Sequence, residues 1–221
     1  MTGTRPQVSP HPQEALSTPR AAGLAGIVFG LLLGTAIVLV RVAVPEHPAS
    51  AGAWLTDSSR RTAVRVALAL VPFAGISFLW FVAAVRDRMG EREDRFFATV
   101  FIGSGLVFVA VLLCAAAAAS GMQATVGRAD QQLWGFGHSF AYTLLTEYSM
   151  RMAAVFAFCT STIGRRLRVL PRPLVWFGWL VGLALIAAAG DVAWLELTFP
   201  VWALVIGGYL LRAGSGRTAS G

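Results

Sequence analysis

The feature that most constrains this chain is a series of long apolar runs separated by short segments rich in charge, glycine or proline. A run of about 20 apolar residues, coiled as an α-helix, matches the hydrocarbon thickness of a bilayer. Only 13% of the 221 residues are charged, whereas a soluble domain carries about 25%. The sequence therefore predicts an all-α, polytopic membrane bundle with six transmembrane helices. The predicted spans are residues 21–44, 62–85, 96–119, 138–163, 174–189 and 195–211.

The remaining segments are predicted to be loops or tails. Residues 1–20 contain four prolines and too little apolar surface to fold alone, so we expect a disordered tail. The first apolar run is longer than the core of a signal peptide, so we expect it to stay attached as a span. Spans five and six are short for a full crossing. We count two spans because Gly190 and Asp191 interrupt the apolar stretch between them. Residues 212–221, with three glycines, are expected to form a flexible tail.

The arginines predict how the chain is threaded. All 18 basic residues are arginine, and most of them lie in the short segments between apolar runs. With the N-terminus inside and alternating spans, twelve arginines fall in inside segments and four in outside segments. Because cytoplasmic loops are enriched in basic residues, both termini are predicted to be cytoplasmic, in a cell membrane. The net charge of +7 is then explained without a nucleic-acid partner.

The sharpest polar feature is the pair Glu147 and Arg151 within span four. The two residues are four apart with the acid first, so they share one helix face in the favourable order. Charged residues near the bilayer centre cost about 3 kcal/mol each, and they normally pair and face the bundle interior. The pair is therefore either a polar functional site, with Tyr148 beside it, or a structural contact that sets how span four packs. The sequence leaves these two interpretations evenly balanced.

Further polar residues are predicted at the outer end of the bundle. The proposed orientation places Asp191 and Glu196 in the outer turn between the last two spans. With Glu147, they are expected to form an outward-facing polar vestibule. The other expected members of this vestibule are Arg41, Arg65 and His138.

Gly26, Gly30 and Gly34 repeat every fourth residue on one face of span one. Small residues at this spacing let a second helix backbone approach closely. The stripe predicts either packing against another span of the same chain or a face for dimerisation. We favour the first, because glycine is common in membrane helices.

No motif in the chain predicts catalysis, a metal or a cofactor. The HExxH, GxSxG, Walker and GxGxxG patterns are missing from the sequence. His138 is the only histidine near membrane depth, and one histidine is too few for a zinc site. Cys114 and Cys159 lie in apolar runs without ligand-like neighbours and are expected to be buried thiols. The sequence thus favours a protein that is not an enzyme.

Three stretches carry a resemblance to known proteins. They are DRFFATVFIGSGLVFVAVLL at 94–113, RMAAVFAFCTSTIGRRLRVLPRPLVWFGWLVGLAL at 151–185 and FPVWALVIGGYLL at 199–211. In this pattern of helices and loops, and above all in CTSTIG at 159–164 before the basic loop, the chain resembles a group of uncharacterised multi-pass membrane proteins of actinobacteria. The resemblance implies a membrane protein of about six helices and no particular activity.

The sequence supports three hypotheses for function. The first is a non-enzymatic membrane component that binds or stabilises partners or senses the envelope. The second is a small transporter or channel that uses the polar site around Glu147 and Arg151. The third is a membrane enzyme acting on lipid, which needs polar residues converging at one interface. The expected partners are the lipid bilayer and either further copies of the chain or another membrane protein.

Overall fold

The computed structural model describes residues 18–43, 57–89, 95–124, 131–188, 192 and 194–215. Within these ranges the chain is helical apart from short turns and contains no strand. Three long helices come first, and four shorter helices follow, with a π-helical turn between α4 and α5 and a 3-10 turn before α7. They are α1 Thr18–Ala43, α2 Ser58–Met89, α3 Arg95–Ala124, α4 Gln131–Thr143, the π-turn Leu144–Ser149, α5 Met150–Arg166, α6 Arg172–Ala188, the 3-10 turn Leu195–Leu197 and α7 Thr198–Ser215.

The structure shows an all-helical chain with four helices long and apolar enough to cross a membrane. These helical stretches are Ala21–Ala43, Ser58–Asp87, Phe96–Gln123 and Leu195–Ala213. Helix α6 is apolar but shorter, and the π-turn divides the rod that runs from α4 through α5. The predictions for the tails fall largely outside the described residues, although α7 continues to Ser215, past the expected end of span six.

Aromatic rings fill the centre of the bundle. Phe29 of α1 lies 4.7 Å from Phe78 of α2 between ring centroids, and Phe78 lies 4.9 Å from Phe156 of α5. Phe108 of α3 and Phe199 of α7 close the cluster, with their ring centroids 5.2 Å apart. All five rings are fully buried. Each aromatic pair adds about 0.5–1.5 kcal/mol beyond the area that it buries, so this cluster holds five helices together.

The glycine stripe of α1 packs against α7 of the same chain. A Cβ atom on Gly30 would lie 2.8 Å from the carbonyl oxygen of Pro200, and one on Gly26 would lie 3.3 Å from Cα of Gly207. Only glycine allows the two backbones to come this close. A Cβ on Gly34 would lie 3.6 Å from Pro200, an ordinary contact, and there the two helices open into a shallow apolar groove. Two of the three glycines therefore make an intramolecular contact.

The helices run antiparallel, so the bundle has two distinct ends. The Glu196 end contains Arg41, Tyr142 and Glu196, where Arg41 contacts both other residues. The Arg166 end contains Arg166 and Phe97, where the guanidinium carbon lies 4.4 Å from the ring centroid.

Candidate functional site

The π-turn arises where the buried face of the α4–α5 rod changes its spacing. Ala141, Thr146, Ser149 and Met150 are buried, so the step from Ala141 to Thr146 is five residues rather than three or four. An α-helix returns to the same face every three or four residues. The extra residue of the π-turn restores this face, which packs against α3.

Two hydroxyl groups within this rod are satisfied by its own backbone. The Oγ1 of Thr146 donates to the carbonyl oxygen of Tyr142 at 3.0 Å, and the Oγ of Ser149 donates to that of Leu145 at 2.5 Å. Such bonds compete with the normal helical pattern and bend helices. Both therefore favour the departure from α-helical geometry in the segment that carries Glu147.

Glu147 and Arg151 form an ion pair on the outer face of the rod. Glu147 lies in the π-turn, Arg151 lies in the first turn of α5, and the Nη1 of Arg151 contacts the Oε2 of Glu147. Their side chains are 31% and 45% exposed respectively, so the pair points away from the aromatic core. Tyr148 beside them is 58% exposed. This outward direction differs from the expectation that membrane-embedded charges face the bundle interior.

The register with α3 places this ion pair beside the middle of that helix's apolar stretch. A Cβ on Gly105 would lie 3.4 Å from the Phe156 ring, and one on Gly137 would lie 2.8 Å from Met122. Glu147 and Arg151 lie between these two contacts along the antiparallel pair, beside the centre of the apolar stretch Phe96–Gln123. Glu147 and Arg151 are therefore level with the middle of a helix that is long and apolar enough to cross a membrane.

A second polar cluster lies at the Glu196 end. Glu196 is 2% exposed, and its Oε1 lies 2.5 Å from the Nη2 of Arg41. The guanidinium carbon of Arg41 lies 5.9 Å from the centroid of the Tyr142 ring, which stacks on His138 at 6.2 Å. Trp194, with a φ of 69°, turns the chain just before Glu196. The cluster thus joins α1, α4 and the 3-10 turn.

The structure divides the predicted vestibule into two parts. Arg41, Glu196 and His138 belong to the cluster at the Glu196 end, whereas Glu147 pairs with Arg151 on the outer face. Arg65 is exposed on α2, and no salt bridge joins it to another described residue. Asp191 lies outside the described residues. Tyr142, which links Arg41 to His138, was missed from the sequence, although its position four residues after His138 was a usable signal.

Two buried polar groups, at the place where α5, α6 and α7 meet, were also missed. The Oγ of Ser161 and the Nε1 of Trp202 are fully buried and have no hydrogen-bond partner within the described part of the chain. Both lie above Gly178, where an added Cβ would be 1.9 Å from the first atom and 2.8 Å from the second. The lack of a side chain at Gly178 makes room for both groups. No periodicity in the sequence marks this meeting of three helices.

No family model, curated protein or solved structure matches this chain. No relative's activity therefore transfers to it, and its function has to be argued from the two polar arrangements themselves. Neither arrangement resembles a metal centre: across the described ranges, no three His, Cys, Asp or Glu residues are grouped to hold an ion. Cys159 is buried and forms no disulfide, as expected, but Cys114 is exposed on the outer surface of α3.

Proposed function

We propose that this chain is a six-span protein of a bacterial cell membrane, with both termini in the cytoplasm. We further propose that it works as a non-enzymatic component that binds another membrane protein within the bilayer. The observation that carries this proposal is the outward-facing ion pair Glu147–Arg151, which lies beside the middle of the apolar stretch of α3.

Six spans are supported by the continuity of the rods. Four helices have the length and hydropathy of spans. The α4–α5 rod stays helical from Gln131 to Arg166, with the π-turn as a local change of helix type, and packs along α3. Helix α6 packs along α5, and a turn then returns the chain to α7 beside α1. Two further crossings account for these rods, and the arginine distribution supports cytoplasmic termini.

The outer face of the α4–α5 rod has the features of a surface covered by protein rather than lipid. A lipid-exposed charge at mid-depth is destabilising, by about 3 kcal/mol for an arginine at the helix centre. A partner with polar groups relieves that cost and leaves the ion pair desolvated but matched. Tyr148, Phe140 and Phe136 extend the same rod with large exposed side chains, at 58%, 49% and 69%. Aromatic residues and arginine are enriched in protein interfaces.

The interior of the bundle favours binding on the outside. Phe29, Phe78, Phe108, Phe156 and Phe199 have no exposed surface and fill the centre between the helices. These rings leave no room for a polar path through the centre of one copy of the chain. The surface around Glu147 is therefore the better place for the protein to work.

Photo-crosslinking in membranes tests this proposal. A photoreactive amino acid replaces Tyr148 in one sample and Phe73, an exposed residue of α2, in the control. We expect a specific protein adduct from position 148 and only lipid adducts from position 73. Glu147→Gln leaves Arg151 without its partner and should reduce the adduct at least about tenfold, given the 2–5 kcal/mol cost of breaking desolvated charge pairs. Lipid adducts alone from both positions would rule the interface out.

The π-turn favours a second candidate, a small transporter or channel formed between copies of the chain. Single π-helical turns inside α-helices occur frequently at functional sites. Here the π-turn presents Glu147 on the outer face, where assembled copies would line a shared path. Flux of protons or small solutes in proteoliposomes that disappears in Glu147→Gln would support this candidate. Capture of a partner without any flux would support the first.

A further inference from the structure

The segment from Arg165 to Arg172, called the Arg165–Arg172 loop here, comprises the end of α5, the turn after it and the first residue of α6, and it carries four exposed arginines on an ordered backbone. The amides of Val169 and Leu170 donate to the carbonyl oxygen of Gly164 at 3.0 and 3.2 Å, and the amide of Arg168 donates to that of Arg165 at 3.2 Å. Leu170 is buried against Gly164, where an added Cβ would collide with it at 2.4 Å. The loop is therefore fixed at both its backbone and its apolar side chain. The arginines exposed on the surface of this loop are Arg165, Arg166, Arg168 and Arg172.

Aromatic rings hold two of these guanidinium groups at the edge of the bundle. The guanidinium carbon of Arg165 lies 5.2 Å from the centroid of the Trp179 ring, and that of Arg166 lies 4.4 Å from the Phe97 ring. Trp176, which is 66% exposed, meets Trp179 edge-on at 5.2 Å. Tryptophan is enriched at the level of lipid headgroups, where one part of the ring is apolar and the other is wet. The arginines thus lie at the boundary between the apolar layer and water.

Three of these arginines are not paired with an acid in the described part of the chain. No salt bridge there involves Arg165, Arg168 or Arg172. At the opposite end, Arg60 pairs with Asp57 and Arg41 pairs with Glu196, whereas Arg61 and Arg65 have no salt bridge to a described residue. A guanidinium stacked on a ring keeps its N–H donors available at its edge, and these match phosphate oxygens in a bidentate way.

We propose that the Arg165–Arg172 loop, with Trp176 and Trp179, is a binding site for the phosphate headgroup of an anionic phospholipid. This inference rests on the membrane placement proposed above but not on the partner at Glu147. A lipid is favoured over a soluble phosphate compound because the exposed Trp176 contacts Trp179, against which Arg165 lies, and provides an apolar contact for the glycerol and acyl carbons. Basic pockets beside membrane helices on the cytoplasmic side bind anionic headgroups in this way.

Native mass spectrometry of the full chain tests the site. The purified protein is mixed with phosphatidylglycerol or phosphatidylcholine of identical acyl chains, and the bound fractions are compared. Each arginine near an anionic surface contributes about fivefold in affinity. The double variant Arg165→Gln/Arg168→Gln should therefore lose about 25-fold of the preference for phosphatidylglycerol. The matched control Arg60→Gln/Arg61→Gln at the other end should keep it.

Further measurements make the outcome decisive. The double variant must elute and unfold like the parent protein in phosphatidylcholine, and Arg165→Lys/Arg168→Lys, which retains the charge, should recover most of the preference. An unchanged preference in the glutamine variant, or an equal loss in the control, would overturn the site. Displacement of the lipid by millimolar inorganic phosphate would assign the loop to a soluble ligand and overturn the lipid. Loss of the crosslinked partner in Glu147→Gln with lipid preference intact would separate the two proposals.

Discussion

At the scale of single residues, the pairs Arg41–Glu196 and Glu147–Arg151 differ in their surroundings. Arg41 and Glu196 are 155 positions apart in the chain, and their side chains are 15% and 2% exposed. Glu147 and Arg151 are one helical turn apart and half-exposed. The buried pair connects the first helix to the turn before the last one, so it is suited to hold the bundle closed. The outer pair contributes no comparable long-range contact and is free to meet another molecule.

Breaking the buried pair should destabilise the fold strongly. Removing one partner leaves an uncompensated buried charge, which costs about 3–5 kcal/mol. We expect this loss for Arg41→Gln and for Glu196→Ala, and a smaller total loss in the double variant than the sum of the two. Denaturant titration in detergent, followed by tryptophan fluorescence, measures it. Arg60→Gln removes an exposed pair with Asp57 and should cost less than about 1 kcal/mol. Equal losses in all three single variants would contradict the structural role of Glu196.

At the scale of elements, local spacing could be predicted and long-range pairing could not. The contact between Glu147 and Arg151 follows from their separation along one helix, whatever the rest of the chain does. The pairing of Arg41 with Glu196 depends on how α1 meets α7, and no pattern in the sequence encodes that depth. The π-turn was also missed, because its signal is a five-residue step between buried positions, which hydropathy alone does not reveal.

A single deletion should convert the π-turn into α-helix without changing either face of the rod. Removing the exposed residue Thr143 takes out the extra position, so α4 and α5 keep their present faces toward α3. We expect this variant to unfold within a few degrees of the parent. Deleting Met152 within α5 instead rotates everything before it by about 100° and should prevent folding. If the Thr143 deletion folds but loses the crosslinked partner, the π-turn itself positions Glu147. Failure of the Thr143 deletion to fold would show that the π-turn is required by the packing.

At the scale of the whole molecule, hydropathy predicted where most helices lie but not how they are arranged. The apolar runs matched four long helices because each run has to bury its backbone polar groups as a helix in lipid. Hydropathy marks two rods less clearly as membrane spans. The α4–α5 rod carries charged residues, and α6 is short. The glycine stripe of α1 predicted either packing within the chain or a dimerisation face. Only the structure identifies its partner, Gly207 of α7.

The topology can be tested one crossing at a time. A reporter enzyme that is active only outside the cytoplasm should be active when it is fused after Ala43, Ala124 or Ala188. The same reporter should be inactive when it is fused after Met89, Arg166 or Ser215. This alternation follows from six crossings with the arginine-rich loops retained inside, since basic residues near a span resist export. The decisive pair is Ala124 and Arg166, because they flank the rod that carries Glu147 and Arg151. If both report the same side, the α4–α5 rod does not cross, and the ion pair lies outside the apolar layer. Opposite sides would require the chain to carry a charged pair through the bilayer, which is the condition under which a partner at that face is needed.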